Sequence, residues 1–147
     1  MERLTLTGKP FIAGIASGEA LVSRESLSFW GGYDWKTGEI IDRRHPLSGM
    51  IAKGKILAIP FTRGSSTTTA VLLEAIRTGT APSAILTTAT DFFFALASIV
   101  ATELYNSPIP LVAVSESDFQ KLQTGDLIEI DNSGRISVTR NKDAPRP

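Results

Sequence analysis

The 147 residues carry 15 Lys and Arg against 15 Asp and Glu, for zero net charge, with no cysteine and one histidine. That balance argues against nucleic acid or an acidic membrane as partner. The missing thiols exclude disulfides, thiolate zinc sites and any iron–sulfur cluster held by this chain alone, and a lone His45 excludes a multi-histidine metal site. One domain is expected, long enough to bury roughly 68–70% of its unfolded surface. No apolar run reaches the ~20 residues of a membrane helix. The opening MERLTLTGKP lacks a secretory h-region, so a soluble cytoplasmic protein is expected.

The first fifty residues are punctuated by Gly14, Gly18, Gly31, Gly32, Gly38 and Gly49, with Pro10 and Pro46. Short strands are expected between them, around residues 4–6, 19–22 and 39–42, in an antiparallel or mixed layer. Asp34-Trp35-Lys36-Thr37-Gly38 reads as a turn into the last of these. From Lys53 the pattern changes. Residues 55–59 read as a buried strand and 66–78 as a helix, with Leu72, Leu73, Ala75 and Ile76 at helical spacing and Gly79 as its stop. Residues 83–87 form a second strand. Asp91 caps a helix through Leu104 or Tyr105, ended by Asn106 and Pro108, and residues 110–114 form a third strand. Two successive β-α-β crossovers imply a parallel sheet. Ser115 caps a short helical stretch at 116–122, and strands at 127–130 and 135–138 flank the hairpin loop Asp131-Asn132-Ser133-Gly134. The domain is expected to span 1–140, with 141–147 a disordered tail.

The stretch ILAIPFTRGSSTTTAVLLEAIRTG, residues 56–79, carries most of the functional information. A strand ends at Pro60, a loop holds Arg63, Gly64, Ser65 and Ser66, and a helix follows. Free N–H groups and the helix dipole there favour a negative ligand, such as a carboxylate or a developing oxyanion. Two readings of the serines stand side by side. One of them N-caps the helix, worth about 1 kcal/mol; or Ser65, Ser66, Thr67, Thr68 and Thr69 form a binding surface at some cost in helix propensity. As a base Ser65 needs help. Each unit of pKa depression requires about 1.4 kcal/mol, and a helix N-terminus supplies about 0.3–2 kcal/mol. Arg63, or a cation or substrate from a partner, must add the rest.

Competing chemistries fit less well. A serine hydrolase needs a histidine base and usually a G-x-S-x-G elbow, and RGSST offers neither that motif nor the lysine of a P-loop. His45, in DRRHP, reads as a histidine bonding a loop; Asp34 and Asp42 read as turn stabilisers. Trp30 and Trp35 are candidates for the core or for a partner-facing patch. Phe92-Phe93-Phe94 cannot turn all three rings one way, so at least one is a candidate for burial against a partner.

Three segments resemble the small-subunit, or swivel-domain, part of the aconitase X family: GEALVSRESLSFWGGYDWKTGEIIDRRHPLSG, GKILAIPFTRGSSTTTAVLLEAIRTGTAPSAIL and TELYNSPIPLVAV. The resemblance implies a swivelling β/β/α domain with a parallel central sheet, helices on one side and a second, mainly antiparallel β layer. It implies a larger subunit as partner, in a heterodimer or higher assembly, carrying an iron–sulfur cluster or iron, with a small-molecule carboxylate as substrate. By the same resemblance Ser65 accepts the proton during dehydration, and Arg63, Gly64 and Ser66 line the substrate side. An arginine follows the two serines in ordinary aconitases; Thr67 stands there in this chain, and Arg63 is the candidate carboxylate clamp.

Two activities occur in the family, dehydration of phosphomevalonate and of cis-3-hydroxy-L-proline. A modest Lys and Glu content, unlike that of hyperthermophiles, favours the second. Two rivals remain. SPIPLVAV and TGDLIEIDNSGRISV resemble the closing segment of phosphohistidine swivel domains, but the helix-opening loop holds no histidine. A non-catalytic regulatory subunit would keep its turnover when Ser65 is replaced by alanine.

Overall fold

A computed structural model describes residues 1–61 and 66–140. Among these are eight strands in the order β1-β8-β7-β3-β4-β5-β6-β2 and three helices. The strands are β1 (Glu2–Thr7), β2 (Lys9–Ile12), β3 (Ala16–Val22), β4 (Ile56–Ala58), β5 (Ala84–Thr87), β6 (Leu111–Ala113), β7 (Leu127–Ile130) and β8 (Arg135–Arg140). The helices are α1 (Ser66–Thr78), α2 (Phe92–Tyr105) and α3 (Glu116–Phe119).

One strand belongs to both halves of the sheet. The first half of β3 runs antiparallel to β7, Ala16 opposite Ile130, and its second half parallel to β4, Ala20 opposite Ile56. Parallel pairing continues through β5 and β6, while β1, β8 and β7 make the antiparallel half. The two ends of the strand order, β1 and β2, are separated in sequence by Gly8 alone. The sheet is therefore curled until its edges meet. Gly8 donates to the Gly134 carbonyl at 2.8 Å, and a Cβ at Gly8 would run into Val112. β2 was not foreseen. Pro10 lies on an edge strand paired only with β6, where proline is tolerated.

The parallel strands are buried on both faces, so their apolar runs are continuous rather than alternating. Leu57, Ile59, Ile85 and Leu111 face α1, α2 and the segment 23–55. Ile56, Ala58, Ala84, Leu86 and Val112 face Leu6, Ile128, Ile136 and Val138 of the antiparallel layer. Both expectations, helices on one side and a second β layer on the other, hold.

The expected strand at 39–42 is reduced to isolated bridges, Tyr33 to Ile40 and Glu39 to Ile51. Each bridge finds a partner for one residue only, because the chain is bent by the Asp34 turn and by Gly38 at φ 82°. The segment is held instead by side chains. Phe29 stacks on Tyr33 at 4.8 Å and meets Phe94 of α2 edge-on at 5.2 Å. The Tyr33 hydroxyl donates to the Thr80 carbonyl at 2.8 Å, and Thr80 Oγ1 to the Trp35 carbonyl at 2.6 Å.

Both long helices carry clear stops. Gly79, at φ 77°, closes α1 with a Schellman motif in which Thr80 N donates to Ala75 O at 2.8 Å and Gly79 N to Ile76 O at 3.2 Å. Asp91 accepts from Phe93 N and Phe94 N to open α2, and Asn106, in the left-handed region, ends it. No described helix is long and apolar enough to cross a membrane.

Candidate functional site

The carboxyl ends of β3, β4, β5 and β6 point the same way, the end at which open α/β sheets take ligands. There the chain leaves β4 through buried Ile59, then Pro60, then Phe61, which is 53% exposed. Ser66 opens α1 and is exposed. Of the residues the sequence singled out, Arg63, Gly64 and Ser65 lie outside the described residues; Ser66 is placed, at the helix tip. No acidic side chain occupies the first turn of α1. Asp91, by contrast, occupies the N-terminus of the neighbouring α2 with its own carboxylate. The dipole of α1 thus keeps its preference for an external anion.

The run of threonines is divided between fold and surface. Thr68 is buried, and Thr69 Oγ1 donates to the Phe93 carbonyl at 2.9 Å, tying the first turns of α1 and α2 together. What reads in sequence as surplus hydroxyls is therefore partly structural, which narrows the exposed polar group at the tip to the serine side.

The exit of β5 lies directly beside the exit of β4. Thr88 donates to the Pro60 carbonyl from both its N–H and its hydroxyl, and Thr87 Oγ1 donates to Ala89 O at 2.6 Å. These contacts fix where the chain enters the serine loop. Sequence reading missed Thr88, since its partner is 28 positions away. Arg24, just past β3, is already engaged: it donates to the carbonyls of Phe119, Gln120 and Leu122 and lies 5.2 Å from the Phe119 ring centre. It closes the end of α3 rather than facing the site.

The remaining candidates serve the fold. His45 is buried; its Nδ1 accepts from Leu47 N at 3.1 Å and its Nε2 faces the Glu25 carbonyl at 3.4 Å. Asp34 and Asp42 accept from Lys36 N and Arg44 N, as turn stabilisers do. The phenylalanine run splits three ways: Phe94 is in the core, Phe93 is half-buried, and Phe92 is 67% exposed. Trp35 packs against the core while Trp30 stays exposed. Among the described residues, the carboxyls displaced from their ordinary range are Glu74, lowered by the Arg77 guanidinium, and Asp131, lowered by the Ser133 hydroxyl. Both are exposed surface groups, remote from acid–base work. A groove of about 730 Å³ lies on the outer face of the antiparallel half, lined by Thr5, Ser17, Glu129 and Ser137. It follows from strand curvature and does not include the strand ends.

The family described as "Aconitase X swivel domain" matches residues 5–138. The chain is 45% identical over 139 residues to the cis-3-hydroxy-L-proline dehydratase of Pseudomonas aeruginosa, covering 95% of this chain and 23% of that protein. It is 35% identical over 144 residues to the phosphomevalonate dehydratase small subunit of Methanosarcina acetivorans, covering 97% and 96%. The chain thus spans about a quarter of the length of the hydroxyproline enzymes it matches and nearly all of the small subunit. Its fold is similar to Thermococcus kodakaraensis aconitase X in the holo-form, with a TM-score of 0.82 and 32% identity over 93% of this chain and 99% of that one.

Proposed function

The chain belongs to the aconitase X swivel-domain family, and from that membership we propose that residues 1–140 are the swivel part of a cytoplasmic hydro-lyase acting on cis-3-hydroxy-L-proline. The observation that carries the substrate is the higher identity to hydroxyproline dehydratases than to phosphomevalonate small subunits. In the reaction the Cα proton and the 3-hydroxyl leave as water. The enamine that remains takes a proton at C3 and gives up its N–H proton, becoming the imine Δ1-pyrroline-2-carboxylate.

Ser65 is the proposed proton acceptor, with Arg63, Gly64 and Ser66 on the substrate side. Support comes from the place of the loop in the chain, between the end of β4 and the N-terminus of α1, whose first turn holds no acidic side chain. A helix tip alone is too weak to turn a serine hydroxyl into a base, as the free energies above require. A larger polypeptide must complete the site. The donor set of this chain does not suit an iron centre. There is no cysteine, His45 is committed to its loop, and no cluster of three His, Asp or Glu occurs among the described residues. We assign any iron centre to the larger polypeptide.

A second reading, the small subunit of a phosphomevalonate dehydratase, is favoured by coverage, since the chain matches such subunits along nearly their whole length. The two are separated by co-expressing the chain with the larger polypeptide of the same organism and assaying both compounds. Turnover of cis-3-hydroxy-L-proline is expected; turnover of 5-phosphomevalonate alone overturns the choice.

A further inference from the structure

The outer face of α2 carries an apolar stripe that the described fold leaves open. With the ~100° step of an α-helix, Phe92, Leu96, Ile99 and Glu103 fall on one line, opposite the buried line of Phe94, Ala97, Ser98 and Ala101. Phe92 is 67%, Leu96 38% and Ile99 51% exposed. A helix on the free surface of a domain keeps its outward positions polar, and one that is apolar all round is covered all round. The stripe is also graded. Its three large apolar side chains fill the first two turns, and its charge, Glu103, comes in the last.

The first turn of α2 is the one joined to the serine helix, through Thr69 and the Phe93 carbonyl. The stripe therefore begins at the rim of the strand-end site and runs away from it. Phe61 places another exposed ring on the loop side of that rim.

We infer that Phe92, Leu96 and Ile99 are the seat of the larger polypeptide that completes the site, an inference resting on the reading that such a polypeptide exists. Two observations select this occupant. In the hydroxyproline relatives the matching segment is 23% of one chain, so the rest is tethered to it permanently. The substrate must touch both parts, so their contact has to reach the rim where the stripe begins. A second copy of this chain fits worse. Pairing the whole stripe of α2 on itself about a two-fold axis sets Glu103 against Phe92 when antiparallel and against Glu103 when parallel, burying a carboxylate either way, and a shorter pairing that avoids Glu103 covers only part of the stripe. The complementary surface is apolar, with a cationic side chain placed to meet Glu103.

The test is a binding measurement on the chain and the larger polypeptide of the same organism, by titration calorimetry and sedimentation. Leu96→Glu with Ile99→Glu is expected to raise Kd on the order of a hundredfold. The melting temperature should stay within about 2 °C, because both positions are exposed. Leu96→Ala with Ile99→Ala, a milder pair, should raise Kd about tenfold. Leu127→Glu, on the opposite β layer, should leave it unchanged. An unchanged Kd in both pairs overturns the inference. So does wild-type self-association that the paired variants abolish while binding to the larger polypeptide persists. A complex that forms tightly but dehydrates neither compound would sink the functional reading alone, since Kd is read without turnover.

Discussion

The amide and the hydroxyl of Thr88 both donate to the carbonyl oxygen of Pro60, each at 3.0 Å. One residue thus clamps the exit of β5 to the exit of β4, just before the segment that holds the proposed base. Thr88→Val keeps the shape and the amide bond and removes the hydroxyl. The expected cost is about 1 kcal/mol of stability, or roughly 4 °C in melting temperature. A fall in kcat of about tenfold at unchanged KM should accompany it, because a small displacement of a catalytic group is expensive. Thr88→Ser should restore both. Thermal melts and steady-state kinetics of the assembled enzyme decide this; a Val variant with wild-type kcat removes the positioning role.

Ser65 and Ser66 separate the proton acceptor from the helix tip. In the assembled enzyme Ser65→Ala should lower kcat by about three orders of magnitude or more, with binding to the larger polypeptide intact. Ser66→Ala should cost about tenfold or less, with little loss of stability, because Ser66 lies inside the first turn of α1 and not at the cap position before it. The reverse order would move the base to Ser66. Two small effects would favour a regulatory subunit.

The two long helices were legible to within a residue because their ends are written locally, whereas the short stretch expected at 116–122 stops at Phe119. Asp91 supplies a cap, and Gly79 and Asn106 adopt the left-handed conformation that stops a helix. Strand identity was legible from β4 onward for a similar reason, since runs such as Ile56–Ala58 are apolar on both faces. The N-terminal third was harder. Pro10 reads as a breaker, yet β2 accommodates it at an edge, and the curl depends on Gly8, whose partner Gly134 lies far along the chain. At the site, sequence pointed to the serine loop and its helix. It could not show that Thr68 and Thr69 are claimed by packing, nor that Thr88 holds Pro60, because these are contacts between distant segments.

Arg140 and Asp126 lock the end of β8 to the turn before β7. Arg140 Nε meets Asp126 Oδ1 at 2.7 Å and Nη2 meets Oδ2 at 2.8 Å, while Nη2 also donates to the Lys121 carbonyl at 2.7 Å. Asp126 is buried. Arg140→Ala leaves that buried carboxylate without a cation, held among the described residues only by the Gln123 amide at 2.8 Å, and should cost about 3–5 kcal/mol, a drop of roughly 10 °C or more in melting temperature. Arg140→Lys keeps the charge but not the fork, and should recover part of the loss. Asp126→Asn in the Arg140→Ala background should be less damaging than the Arg140→Ala change alone. Calorimetric melts of the three variants check the ranking, and an Arg140→Ala protein as stable as wild type refutes it.

Tyr33 makes stability depend on pH at the alkaline end. Burial pushes its phenol well above the ordinary tyrosine range, because the phenolate would lose its hydration among Phe29, Phe94 and the α1 terminus. A raised folded-state value means the stabilising contribution is complete below the unfolded value of about 10 and is lost as pH climbs through the folded one. The slope approaches about 1.4 kcal/mol per pH unit once the unfolded phenol ionises. Tyr33→Phe forfeits the bond to the Thr80 carbonyl, about 1 kcal/mol at pH 8. It also has no phenol to ionise, so its alkaline limb should be flatter. Urea midpoints at pH 8, 10 and 11 should therefore show the two proteins converging as pH rises. Parallel curves across that range would mean that Tyr33 ionises as easily in the fold as in the unfolded chain.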